Sequence, residues 1–110
     1  MKLPNAQLAI IDIRKLREYS LNPDHPRGSH KARVFKSALG LTYEDAEVLY
    51  NAILEAVVSR DAVEVKHDRY GVHYVVDFIF ERPPKRATVR TYWLVAGGSG
   101  IPALTSCFVP

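Results

Sequence analysis

The chain has 110 residues, enough for one domain around one core, expected here to occupy 1–110. With 47% hydrophobic residues, 25% charged residues and a net charge of +3, it has the composition of a soluble globular protein and not of a disordered or membrane-spanning one. The single cysteine, Cys107, excludes an internal disulfide and a cysteine-built metal cluster, and the apolar run Leu8-Ala-Ile-Ile11 is too short for a signal-peptide core, so a cytoplasmic location is expected.

Residues 1–9 read as an extended lead-in. Asp12 can cap a short helix in which Ile13, Leu16 and Tyr19 or Ser20 recur at helical spacing, and Asn22-Pro23 stops it. After a loop over 22–29, Ser29 is placed to cap a second helix with Ala32, Phe35, Ala38 and Leu39 on one face, ended by Gly40. Thr42 opens a third helix, with Asp45 completing an imperfect capping box, and its inward face is Ala46, Leu49, Ile53 and Ala56 or Val57. The pattern then changes from helical spacing to alternation. Strands are predicted over 62–66, 72–81, 87–95 and 103–109, separated by a turn, by Arg82-Pro-Pro-Lys85 and by a glycine-rich loop over 96–100. The predicted fold class is α+β: about three N-terminal helices packed on one face of a four-stranded antiparallel meander, with the other face open.

Charge is unevenly placed along the chain. Residues 1–40 carry +5, residues 41–68 carry −5 and residues 69–110 carry +3. If the basic head and tail meet, they form one positive face suited to a polyanion; otherwise they are separate solvated surfaces.

The densest polar chemistry lies in 19–35, where His25, His30, Lys31 and Arg33 surround two prolines and a glycine. Cleaving RNA without a metal needs a base for the ribose 2′-OH, an acid for the leaving oxygen and cations for the phosphorane charge. His30 or His25 suits the proton work, and Lys31 and Arg33 suit the charge. The structural alternative is that the histidines shape the loop. No His-Glu-x-x-His or Cys/His pattern supports a metal, and no cofactor motif is present, since Gly97-Gly-Ser-Gly100 is followed by neither Lys-Ser/Thr nor a helix.

On the third strand, alternation separates Thr88, Arg90, Tyr92 and Leu94 from the more apolar Val89, Thr91, Trp93 and Val95, which are expected to face the helices. Arg90 and Tyr92 on the open face could hold a phosphate and stack a base; the alternative is an Arg90–Asp77 cross-strand ion pair. Thr91 and Thr105 offer hydroxyls, although threonine is also simply a good strand former.

The motif Lys-Leu-Arg-x-Tyr-x-Leu-Asn-Pro-x-His-Pro-x-Gly-x-His-Lys-Ala-x-x-Phe over 15–35 resembles an uncharacterised bacterial domain family found as small stand-alone proteins and as C-terminal modules of polymorphic toxins. Tyr74-Val-Val-Asp-Phe78 and Ala87-Thr-Val-Arg-Thr-x-Trp-Leu-Val95 extend the resemblance to nearly the whole chain. The order of helices followed by four strands also resembles the barnase–EndoU–colicin–RelE class of metal-independent ribonucleases. That resemblance implies a site in which His30 and Lys31 come from the helix start, Arg90 and Thr91 from the third strand and Thr105 from the fourth. Toxin modules of this type can carry Ser at the position of His30, which makes Lys31 the principal anchor. The expected function is therefore a metal-independent ribonuclease of toxin or toxin–antitoxin type. His30, Lys31, Thr91 and Thr105 would be catalytic, and His25, Arg33, Arg90 and Tyr92 would bind substrate. The expected partners are RNA, with tRNA as one candidate, and an acidic protein inhibitor of antitoxin or immunity type. The alternative is a non-catalytic protein-binding module.

Overall fold

The computed structural model describes all residues, Met1–Pro110. Helix α1 (Ile13–Lys15) starts at Asp12, whose carboxylate accepts the Arg14 N–H at 3.0 Å. It widens at once into a π-helical turn, Leu16–Ser20, closed by the Leu21 N–H donating to the Leu16 carbonyl at 2.9 Å. Helix α2 (Ser29–Leu39) buries Ala32, Phe35 and Leu39 and ends at Gly40, whose φ of 68° lies in the left-handed region that glycine enters without cost. The Thr42/Asp45 capping box is complete, with the Thr42 N–H donating to the Asp45 carboxylate at 2.9 Å. A 3₁₀ turn, Tyr43–Asp45, then leads into α3 (Ala46–Ser59), which buries Ala46, Leu49, Ile53, Ala56 and Val57.

Four antiparallel strands follow in the order β1-β2-β3-β4: Ala62–Asp68, Gly71–Arg82, Lys85–Ala96 and Pro102–Phe108. The fold is thus the predicted α+β arrangement of helices followed by an antiparallel meander. The inner face of the sheet carries Tyr74, Val76, Phe78, Phe80, Val89, Trp93, Leu104 and Cys107 into one core with the helices. Phe35 and Trp93 are fully buried; burying a side chain of this kind contributes about 1.5–3 kcal/mol. The opposite face is uncovered, with Val63 60% and Ile79 44% exposed.

Several boundaries differ from the sequence reading. The lead-in is not wholly extended, because Ala6–Leu8 forms a 3₁₀ turn entered through Asn5 at φ 52°. The strands run longer than alternation suggested because their connections are tight. Residues 69 and 70 suffice for the first, and Pro83-Pro84 for the second. The acidic cap of α3 is tied to the sheet, since Arg82 donates to Asp45 at 3.2 Å. The first segment also reaches the last strand. Ile10 forms a parallel bridge with Ala103, through its N–H to the Pro102 carbonyl and its carbonyl to the Leu104 N–H, both at 2.9 Å. No helix is long and apolar enough to cross a membrane.

Candidate functional site

The 15–35 motif folds into a laced loop that aims the start of α2. Asn22 accepts the Asp24 N–H at 3.0 Å and donates to the Glu18 carbonyl at 3.1 Å, fixing the turn at Pro23. His25 Nδ1 accepts two backbone N–H groups, Arg27 at 3.0 Å and Gly28 at 3.1 Å, and its carbonyl accepts the Ser29 N–H. Its ring meets Tyr19 edge-on at 4.6 Å. Gly28 passes so close to the Tyr19 carbonyl that a Cβ there would sit 2.3 Å from the oxygen. The expected Ser29 cap is therefore corrected: Gly28 occupies the cap position, no side chain caps the helix there, and His25 secures the approach instead. His25 is a loop-forming residue whose Nδ1 is already used; the neutral ring then carries its proton on Nε2.

Lys31 lies in the first turn of α2 and reaches across to β4. Its ammonium donates to Ser106 Oγ at 3.2 Å and sits 5.0 Å from the Phe108 ring centroid and 5.8 Å from that of Tyr19. An ammonium has three donors, so two remain available. A β-bulge makes this meeting possible. Tyr92 pairs with Ser106 and Trp93 with Leu104, leaving Thr105 as the extra residue on β4. Thr105 is exposed and donates to the Tyr92 carbonyl at 3.2 Å. Between the π-turn and β4 lies a cleft of about 230 Å³, lined by residues 15, 16, 19, 20 and 104–107. Lys31 stands at its rim, because two of its contacts, Tyr19 and Ser106, line the cleft. Cys107 lies on the cleft wall, and burial pushes its thiol up to about 12 against the opposing pull of Lys31.

This arrangement belongs to a chain whose whole length follows one family pattern. The sequence profile described as Domain of unknown function (DUF6883) matches residues 2–110. The chain belongs to that family. The membership agrees with the resemblance to an uncharacterised domain family drawn from the 15–35 motif. No curated protein and no solved structure matches it.

In this DUF6883 domain only part of the expected constellation converges. Thr105 lines the cleft and Lys31 reaches its neighbour Ser106, with Tyr92 nearby through its stack on Phe108 at 5.8 Å. His30 is exposed in the same turn as Lys31 and lines no cleft. Arg33 lines a different groove, beside Leu21, Pro23 and Tyr43, because two residues of helix turn it away from Lys31. Arg90 is not a free phosphate ligand: it makes a two-armed ion pair with Asp77, both bonds at 2.9 Å, as the cross-strand register allows. The expectation that Thr91 presents a hydroxyl to substrate is corrected. Thr91 is 1% exposed, donating to the Val76 carbonyl at 2.7 Å and accepting from Trp93 Nε1 at 2.8 Å. It faces the core, as the strand alternation required.

The sequence reading missed Tyr19, Ser20, Ser106 and Phe108 as site residues. The 15–35 motif specified Tyr19 but left position 20 open, so it carried no signal for Ser20. Nothing in the sequence marked the bulge that brings Ser106 opposite Tyr92.

Proposed function

We propose that the domain binds RNA at the β4 edge and cleaves it without a metal. The observation that carries this reading is the Lys31 ammonium, held at 3.2 Å by Ser106, a residue of the cleft lining, and 5.0 Å from the Phe108 ring that stacks on Tyr92. A half-buried ammonium with two spare donors suits a phosphodiester oxygen, and Tyr92 with Phe108 suits a stacked base. In the proposed reaction the 2′ oxygen attacks phosphorus while His30, exposed outside the cleft and one residue before Lys31, takes its proton from the solvent side of the bound strand. Lys31 and Lys15 offset the charge that grows on the phosphorane oxygens, Thr105 orients the phosphate, and the 5′ oxygen leaves with the proton returned by His30. An acidic protein inhibitor would cover the same basic edge.

Incubation of wild type and Lys31→Ala with total tRNA, with and without EDTA, tests this reading on a denaturing gel. Wild type should cleave equally with EDTA, and Lys31→Ala should lose on the order of 100-fold or more in rate, the scale set by removing one charge-stabilising donor. His30→Ala should lose a comparable factor. A folded wild type that leaves RNA intact refutes the assignment. That result would favour the second reading, a non-catalytic protein-binding module, for which the exposed Val63 and Ile79 on the uncovered sheet face are the supporting observation.

A further inference from the structure

The cleft beside Lys31 contains a polar group that the protein leaves unused. Ser20 is only 5% exposed, lines the cleft, and its side chain makes no hydrogen bond within the protein. Its oxygen is not sealed in, because the fully enclosed side-chain polar atom without a hydrogen bond is an Arg82 nitrogen and not Ser20. The hydroxyl therefore opens into the cleft. It sits at the end of the π-turn, a backbone form that costs regular hydrogen bonding and recurs where helices build sites.

We propose that this cleft is a nucleobase pocket, taking the base of the RNA nucleotide whose phosphate rests on Lys31. The inference rests on the RNA reading above and adds where the base goes. Leu16, Tyr19 and Leu104 supply apolar walls, and Cys107 stays a neutral thiol there. The polar side chains of the lining are Ser20, Lys15, Thr105 and Ser106, and Lys31 bonds to Ser106 from beside the cleft. A base has the matching form: an apolar flat body, hydrogen-bonding edges and an attached phosphate. At about 230 Å³ the cleft lies below the roughly 300–1,000 Å³ of pockets that enclose drug-sized ligands, so it suits one ring system and not an extended chain. A leucine-like side chain would fill the walls but leave the Ser20 hydroxyl unpaired, which is unfavourable for a buried polar group. A bare phosphate would stop at the rim and leave the apolar walls empty.

The test is calorimetric titration of the folded protein with the four nucleoside 3′-monophosphates, ribose 5-phosphate and inorganic phosphate, repeated for Ser20→Ala and Lys31→Ala. At least one nucleotide should bind about tenfold or more tightly than ribose 5-phosphate. Ser20→Ala should weaken that nucleotide by about 3- to 10-fold, the equivalent of one neutral hydrogen bond, and leave ribose 5-phosphate unchanged. Lys31→Ala should weaken every phosphate ligand by roughly 10- to 100-fold. Phosphates that bind through Lys31 with no gain from any base, or a Ser20→Ala variant that binds nucleotides like wild type, overturn the base pocket and leave the RNA reading standing. Failure of every phosphate ligand to bind overturns both.

Discussion

Thr91→Val replaces one hydroxyl by a methyl of similar volume in the centre of the sheet, so its effect isolates a hydrogen-bond relay. Thr91 Oγ1 bridges the Val76 carbonyl at 2.7 Å and Trp93 Nε1 at 2.8 Å, and both Thr91 and Trp93 are sealed from solvent. Valine keeps the packing but leaves the indole N–H without an acceptor in an apolar interior, which costs about 1–3 kcal/mol. The lost bond to the Val76 carbonyl adds roughly 1 kcal/mol. The expected loss is therefore about 2–4 kcal/mol, or on the order of 10–20 °C in melting temperature for a domain of this size. Trp93 is the single tryptophan, so its fluorescence in a urea titration reports the event from inside the relay. Thr91→Ser keeps the hydroxyl and should lose only about 1 kcal/mol. Removing both partners in Thr91→Val/Trp93→Phe should cost less than the sum of the two single changes, because no donor is then stranded. A Thr91→Val variant within about 0.5 kcal/mol of wild type would refute the relay.

Three further outcomes follow from the loop, the first hairpin and the last strand. Gly28→Ala drives a Cβ to 2.3 Å from the Tyr19 carbonyl; because φ at Gly28 is −93°, the cost is steric and not conformational, about 1–3 kcal/mol by the shift in urea midpoint. Asp68 should support acid stability. Burial opposes its ionisation, but hydrogen bonds from His73, the Tyr70 N–H and Lys66 bring its pKa from 3.8 down to about 2. A carboxyl depressed by folding stabilises above its unfolded pKa and loses that contribution as pH falls through its folded one. The stability difference between wild type and Asp68→Asn should thus shrink between pH 4 and 2 in acid unfolding; a constant difference there would be the contrary result. Cys107, buried and titrating at about 12, should react with Ellman's reagent at pH 8 only as fast as β4 opens, and immediate stoichiometric labelling would contradict its burial.

The layers of this fold were legible because they rest on local chemistry. Phe35 and Leu39 at helical spacing, the Thr42/Asp45 box and the alternation through Val76, Phe78 and Phe80 each state their own burial. The site was less legible because it depends on register. The Arg90–Asp77 pair was foreseen as the alternative to phosphate binding, and the β2–β3 register decides in its favour; Ser106 meets Tyr92 only because one residue bulges from β4. The 15–35 motif was visible as a unit, but its residue types did not reveal its division of labour. His25 serves backbone N–H groups, Gly28 clears the Tyr19 carbonyl, Lys15, Leu16 and Tyr19 line the cleft, and Lys31 reaches Ser106 on its opposite wall. Thr91 shows the same limit from the other side. A hydroxyl on an inward position reads equally as chemistry or as core until its Trp93 partner is placed.

The bond from Lys31 to Ser106 joins positions 75 residues apart, and the parallel bridge from Ile10 holds the same strand. Neither connection exists in the helices alone or in the hairpin of β2 and β3. Closing such long loops comes late, because chain entropy is spent before the contacts return it. During synthesis the helices and the central hairpin can form while the cleft still has one wall. Once folded, detachment of β4 alone would remove that wall and leave the β2–β3 hairpin paired. The cleft is thus completed only when β4 joins the sheet and Lys31 reaches Ser106.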